Sequence, residues 1–467
     1  MHFGNRLEFF ADLLALWRLG ACVIPLDARL TEFEIKNLVR AAAPSLSIVD
    51  DKNDPTIGAS LSSANVKVIS TLEIETPAVG ASDALSEGFP RLDDDALILF
   101  TSGSTGSPKG VLHTHRSLQA RWTALQQKLG LEAYRRTLCL LPTHFGHGLI
   151  CNCLFPWLSG QDLFIMPPFN PESIMRLGPL IDEHKITFLS SVPALWRLAL
   201  KVSKPPSKRT LKRVHCGSAP LSAHLWKEIQ VWAATKDVFN AYGITETGSW
   251  VAGTSVGDFI PEDGLIGEPW GAVIKVMKTG DTRTPPNQEL ECKPNESGYI
   301  WLRTPALMKG YFKRQDLTDE AVCQGWFLTG DIGTVDERGR LYLKGREREE
   351  INKGGIKIYP ADIDAVVERF DRTKDVAAFG FDDPLYGQEV GMAVALKNQD
   401  AATIRELYRW MKFHLPEHKM PMRWYLVDSI PRTSRGKISR SAVMERCTKL
   451  QPLDLRGILQ ASEEGSA

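Results

Sequence analysis

From Leu13 to about Leu200, stretches with apolar residues at helical spacing alternate with short apolar runs, namely Cys22–Leu26, Leu97–Phe100, Thr137–Leu141 and Leu163–Met166. Helical period alternating with strand-length runs predicts an α/β fold built on a largely parallel sheet. Phe9 to Leu26 resembles the apolar region of a signal peptide, but Asp12 and Arg18 interrupt it at helical spacing from Leu13, Leu14 and Leu16, which predicts an amphipathic core helix. The basic, proline-containing stretch 200–211 is non-periodic and reads as an exposed loop. Beyond Gly264 the texture changes to shorter runs, Val273–Met277, Gly298–Leu302 and Arg340–Leu343, separated by glycine and proline, so a β-rich subdomain is expected there. A charge run, 345–350, and Lys353-Gly354-Gly355 then form a plausible hinge before a small α+β unit with a helix at about Ala402–His414. The terminal ASEEGSA is small and polar and reads as a disordered tail.

Composition narrows the function classes. Lys plus Arg number 56 and Asp plus Glu number 56, so charge gives no case for a nucleic-acid or anionic-membrane partner. With 43% hydrophobic and 24% charged residues the chain has the make-up of a globular protein. No stretch of eighteen uncharged apolar residues occurs, which argues against a transmembrane helix. The eight cysteines, at 22, 139, 151, 153, 216, 292, 323 and 447, lack CxxC pairing; Cys151 and Cys153 sit in an apolar run and read as buried reduced thiols, consistent with a cytoplasmic protein.

The segment with the most chemistry is Thr101-Ser102-Gly103-Ser104-Thr105-Gly106-Ser107-Pro108-Lys109-Gly110, directly after the apolar run Ala96–Phe100. Glycines allow a ligand close to the backbone, successive N–H groups form an anion cradle, and the hydroxyls and the ammonium add donors. A polyphosphate suits this set. The glycine spacing is not that of a Walker A loop, because Pro108 stands where glycine is required and Gly110 follows Lys109.

This loop resembles the signature of the adenylate-forming superfamily, which includes acyl-CoA synthetases, peptide-synthetase adenylation domains and luciferases. Further family motifs follow in the family's order: Gly217-Ser218-Ala219-Pro220, Tyr242-Gly243-Ile244-Thr245-Glu246-Thr247, Thr329-Gly330-Asp331, Gly345-Arg346 and Pro431-Arg432-Thr433-Ser434-Arg435-Gly436-Lys437. The resemblance spans about residues 4–445. It implies a large AMP-binding domain at 1–347, a mobile domain at 348–450 and a tail at 451–467. It also implies the reaction: a carboxylate joins ATP with loss of pyrophosphate, and a thiol then takes the acyl group from the adenylate.

Site roles follow by matching positions. The loop residues Thr101 to Gly106 and Lys109 would hold phosphates. Tyr242 would lie along adenine with Gly217, Ser218, Ala219 and Pro220 on its other side, and Asn240, Ala241 and Gly243 would complete the nucleotide site. Asp331 and Arg346 match ribose contacts, since a carboxylate suits vicinal hydroxyl donors. Thr245 matches the α-phosphate contact and Glu246 the magnesium ligand, as expected of a hard cation shared with phosphates. Lys437 matches the adenylating lysine, Arg348 the charged hinge position, and Lys353, Gly354 and Gly355 the thiol tunnel.

Three departures mark the acid end. Phe145 stands where acyl ligases keep a gating histidine, with His144 beside it, and His147 stands where amino-acid-activating relatives place an aspartate. The surrounding Leu149, Ile150, Leu154, Phe155 and Trp157 suggest an apolar pocket for an uncharged acyl group, unsuited to an α-ammonium. The histidines 113, 115, 144 and 147 lack the cysteine or carboxylate neighbours of a metal site. Relatives also carry a strand and helix ahead of the segment that Gly4–Leu16 resembles; a genuine start here is expected to cost the first subdomain packing surface. Three functions remain open from sequence: ligation of a small carboxylic acid to coenzyme A, loading of an acyl carrier protein's phosphopantetheine, and nucleotide binding by a shortened pseudoenzyme. ATP, Mg2+ and the thiol are the implied cofactors.

Overall fold

The computed structural model describes residues 1, 4–27, 30–49, 61, 66–71, 89–101, 109–166, 171–255, 259–353, 356–433 and 436–460. The tail 461–467 lies outside them. The central sheet runs Val273–Met277, Gly298–Arg303, Trp326–Val335, Leu341–Arg346, Leu265–Pro269, Ser249–Gly253, Val238–Ile244, Arg213–Gly217, Phe188–Ser191, Arg136–Cys139, Asp162–Ile165. Its last five strands pair in parallel and the rest antiparallel, so one sheet carries both the α/β part and the β-rich part expected beyond Gly264.

Alternation in the parallel strands explains the layering. Phe188, His215 and Phe239 face one side, packing with Phe9, Leu125, Phe155, Trp250 and Trp270 or their neighbours, while Leu138, Leu189 and Val214 face the other with Trp196, Trp226 and Ile229. Helices are set by their ends: Thr114 caps His115–Leu129 through Ser117, Ser222 caps Ala223–Ala233, and Pro193 starts Pro193–Val202. The amphipathic helix expected near the start is Leu7–Arg18, burying Phe9, Phe10 and Leu13.

Two expectations change. The run Leu97–Phe100 does form a strand, Asp95–Thr101, but pairs antiparallel with Lys109–Thr114 in a separate small sheet. Cys22–Leu26 makes one parallel bridge, Val23 to Leu97, and no strand; Pro25 has no N–H to continue a ladder.

The C-terminal unit is a second sheet, Ile356–Ile358, Ile351–Lys353, Gly387–Leu396, Thr373–Asp383, with Arg423–Leu426 added in parallel. Helices Pro360–Glu368 and Ala401–His414 cover one face and Arg440–Thr448 the other. Among the described residues, no helix is long and apolar enough to cross a membrane.

Candidate active site

In open parallel sheets, ligands bind beyond the carboxyl ends of the strands. Those ends here carry Ser190 and Ser191, Gly217 and Ser218, and Ala241 to Ile244. Gly217 and Gly243 are required by crowding: a Cβ on either would stand 2.4 Å and 2.1 Å from the carbonyl oxygens of Ala241 and Ser249. Ser218 turns with φ 64°, a left-handed conformation costly for a non-glycine residue.

The expected nucleoside side holds a triad of buried Tyr242 and Asp331 with half-buried Arg346. Tyr242 donates its phenol to Asp331 Oδ2 at 2.6 Å, and Arg346 Nε stands 2.9 Å from Asp331 Oδ1, opposite it in the antiparallel register. Burial, then the Asp331 carboxylate, pushes the Tyr242 phenol well above its ordinary value, so it stays a neutral donor. Asn240 faces elsewhere: its amide nitrogen donates to the Leu265 carbonyl, tying two strands of the central sheet together.

On the phosphate side, Thr101 and Lys109 pair across the hairpin, and Ser102, Gly103, Ser104, Thr105 and Gly106 lie outside the described residues. Lys109 Nζ stands 5.6 Å from the Tyr311 ring centre, and Tyr311 donates its phenol to Glu246 Oε1 at 2.8 Å. The Thr245–Thr247 turn is anchored from behind by two buried side chains. His113 Nε2 bonds the Thr245 carbonyl at 2.8 Å, and Arg121 Nε donates to Thr247 O at 3.0 Å. A single carboxylate such as Glu246 would suit a magnesium ion that takes its other ligands from phosphates and water. Among the described residues no cluster of three or more metal-binding side chains occurs.

The acid side centres on a helix with i→i+5 bonds, His147–Leu154, a form concentrated at functional sites. His147 Nδ1 stands 2.8 Å from Ser218 Oγ and Nε2 2.6 Å from Ser190 Oγ. Burial, and after it the Lys437 ammonium, pulls this imidazole down to about 3, so it is neutral at physiological pH. The three acid-side residues separate: His147 faces the strand ends, Phe145 is buried with its ring 6.5 Å from His147, and His144 Nε2 lies 3.5 Å from Asp27. The apolar residues expected around the acid are buried together. Leu149, Ile150, Leu154 and Phe155 lie in one buried core with Trp250, and Trp157 packs against it.

Lys437 sits on a tight loop. Thr433 N donates to Lys437 O, Arg432 donates to both Asp375 oxygens and to Gly436 O, and Gly436 turns with φ 76°. A Cβ on Gly436 would stand 3.3 Å from Ala194, so this loop rests on the start of helix Pro193–Val202, just past Ser190. Arg348 is exposed in the turn Glu347–Glu349, immediately after Arg346. Lys353 Nζ bonds Glu389 at 2.7 Å; Gly354 and Gly355 lie outside the described residues.

The sequence matches the AMP-binding enzyme family over residues 1–312 and the AMP-binding enzyme C-terminal domain over 362–437, and the chain belongs to that family. It is similar to a 2-succinylbenzoate–CoA ligase of Geobacillus sp. (strain WCH70), 29% identical over 93% of this chain and 85% of the relative. An oxalate–CoA ligase of Arabidopsis thaliana is 27% identical over 95% of this chain and 87% of its own. Among solved structures, O-succinylbenzoate coenzyme A synthetase of Bacillus subtilis with ATP and magnesium ion superposes with a TM-score of 0.81 at 25% identity, covering 94% of this chain and 88% of that one.

On the ribose role that the resemblance implies, Asp331→Ala should raise KM for ATP about ten- to a hundredfold with little change in kcat, because such a contact, made equally in ground and transition states, is worth about 1.5–3 kcal/mol. Steady-state kinetics in ATP checks this; a fall in kcat at unchanged KM contradicts the ribose role.

Proposed function

We propose that this protein is an AMP-forming acid–thiol ligase that activates a small carboxylic acid with ATP and passes the acyl group to coenzyme A. The observation that carries the reading is the seating of the Lys437 loop, through Gly436, against the start of helix Pro193–Val202 just past Ser190, while His147 and Tyr242 stand at the same strand ends. In the first step a carboxylate oxygen attacks the α-phosphorus, the bond to the bridging oxygen breaks, and pyrophosphate leaves. Lys437 supplies a mobile positive charge to the oxygens that gain charge there. Thr245 and Lys109 orient phosphates, and Glu246 is the residue to hold magnesium, which when bound neutralises phosphate charge. In the second step the thiolate carbon–sulfur bond forms at the acyl carbon and AMP leaves. The named relatives act on 2-succinylbenzoate and oxalate, acids of very different size, so they support the reaction and leave the acid open.

The domain reading is 1–347 and 348–450, hinged at Arg348. The two parts are joined by Arg197, whose Nε donates to Glu368 at 2.8 Å, both side chains being largely covered. Arg197→Met should slow the adenylation half-reaction about three- to tenfold and leave thioester formation from supplied acyl-adenylate unchanged or faster, since a lost domain contact of about 1 kcal/mol shifts the closed population by that factor. Single-turnover rates of both halves check it. The ligase reading is tested by pyrophosphate release over a panel of acids with and without coenzyme A. Acid-dependent release and coenzyme A-dependent thioester are expected; ATP turnover indifferent to any acid overturns the reading.

A further inference from the structure

Behind His147 the site ends in rings. The Trp250 indole meets His147 edge-on at 5.4 Å, His215 lies 4.4 Å beyond Trp250, and Trp270 lies 5.6 Å from His215. All four are buried, with Trp250 directly behind His147. A 390 Å³ apolar cavity does exist, lined by Trp17, Leu118, Trp122, Ile150, Leu154 and others, but neither His147 nor Trp250 borders it. It lies against the other face of the His147–Leu154 helix and is no extension of the acid site.

The ring cluster is unusual in its polar atoms. Trp250 Nε1, Trp270 Nε1, His215 Nδ1 and both amide atoms of Asn152 are buried without a hydrogen-bond partner among the described residues. Native interiors leave few such atoms, since each unmet donor costs free energy. Asn152 follows His147 by one i→i+5 turn and so shares its helix face. Indole N–H groups only donate, so what satisfies them accepts. Arg213 and Lys437, which oppose protonation of His215 and His147, make the surroundings electropositive.

We propose that Trp250 is the floor of the acid pocket, and that it and Asn152 select a short carboxylic acid bearing a hydrogen-bond-accepting substituent such as a hydroxyl or carbonyl. This rests on the ligase reading above.

The experiment compares acetate, propionate, glycolate, lactate, pyruvate, malonate and octanoate in ATP–pyrophosphate exchange, and in direct binding by calorimetry. Wild type should favour glycolate, lactate or pyruvate over the matching plain acid by about tenfold or more, and should reject octanoate. Preference for malonate keeps the acceptor and moves the class to dicarboxylates, overturning the neutral substituent. Trp250→Ala, with Trp250→Leu as the milder change should the first unfold, should raise octanoate exchange about tenfold relative to lactate. Asn152→Leu should shrink the preference for lactate over propionate about threefold or more. Octanoate accepted by wild type as well as lactate, a preference for plain acids, or failure of all seven to bind overturns the proposal. Binding of the short acids without any exchange leaves the pocket standing and overturns the ligase reading instead.

Discussion

Lys437→Ala is expected to lower the rate of acid-dependent pyrophosphate release about 10²–10³-fold, the effect of removing about 2.7–4 kcal/mol of transition-state charge stabilisation. The same variant should convert a supplied acyl-adenylate and coenzyme A to thioester at nearly the wild-type rate. The split follows from where the lysine stands. It is carried by a loop of the C-terminal unit that Arg432, Asp375 and Gly436 hold in shape, and Gly436 rests against Ala194 of the large domain. On the role proposed above, its charge serves the step in which negative charge grows on phosphorus-bound oxygens and not the later thiol attack. Because Lys437 is exposed and its loop is fixed by other residues, the substitution should leave melting temperature within about 2 °C of wild type. Quenched-flow measurement of the two half-reactions separates the outcomes. An unchanged pyrophosphate rate removes Lys437 from the mechanism; equal loss in both halves makes it a general binding group.

Sequence carried the glycines and charges of the site because their spacing is fixed within single loops. Asp331 and Arg346 were legible in this way, and the antiparallel register then sets them face to face. Residues that act across the fold were not. His113 and Arg121 lie in a strand and a helix whose periodicity marks them as interior, and their bonds to Thr245 and Thr247 depend on which strands adjoin, a tertiary fact. Tyr311 is likewise more than sixty residues from Glu246 in sequence. The i→i+5 turn of His147–Leu154, which packs beside the strand that carries Trp250, was not legible either. A wide helical turn has no composition signal.

Buried neutral histidines should make the large domain lose stability steeply as pH falls from 6.5 to 5, before most carboxylates titrate. His113 is held down to about 4 by burial, against a hydrogen bond to Thr245 that acts the other way, and His147 to about 3. His215 is held well below its ordinary value by burial first and by Arg213 second. Each is neutral when folded but takes a proton near 6.5 once unfolded, so the unfolded state binds more protons in this window and stability rises with pH. The contribution is fully present above about 6.5 and disappears as pH drops toward the folded values. At pH 5, His113 and His147 each forfeit about 2 kcal/mol, roughly 4 together, which is a large part of a domain's 5–15 kcal/mol. Urea unfolding followed by tryptophan fluorescence between pH 5 and 8 should give a midpoint flat above 7 and falling below 6.5. His147→Gln, which keeps hydrogen-bonding atoms near Ser190 and Ser218 and cannot titrate, should reduce the slope by about one proton's worth, 1.4 kcal/mol per pH unit. A midpoint independent of pH across this range, or a slope that the variant leaves intact, would mean that His147 is not a buried neutral group in the native protein.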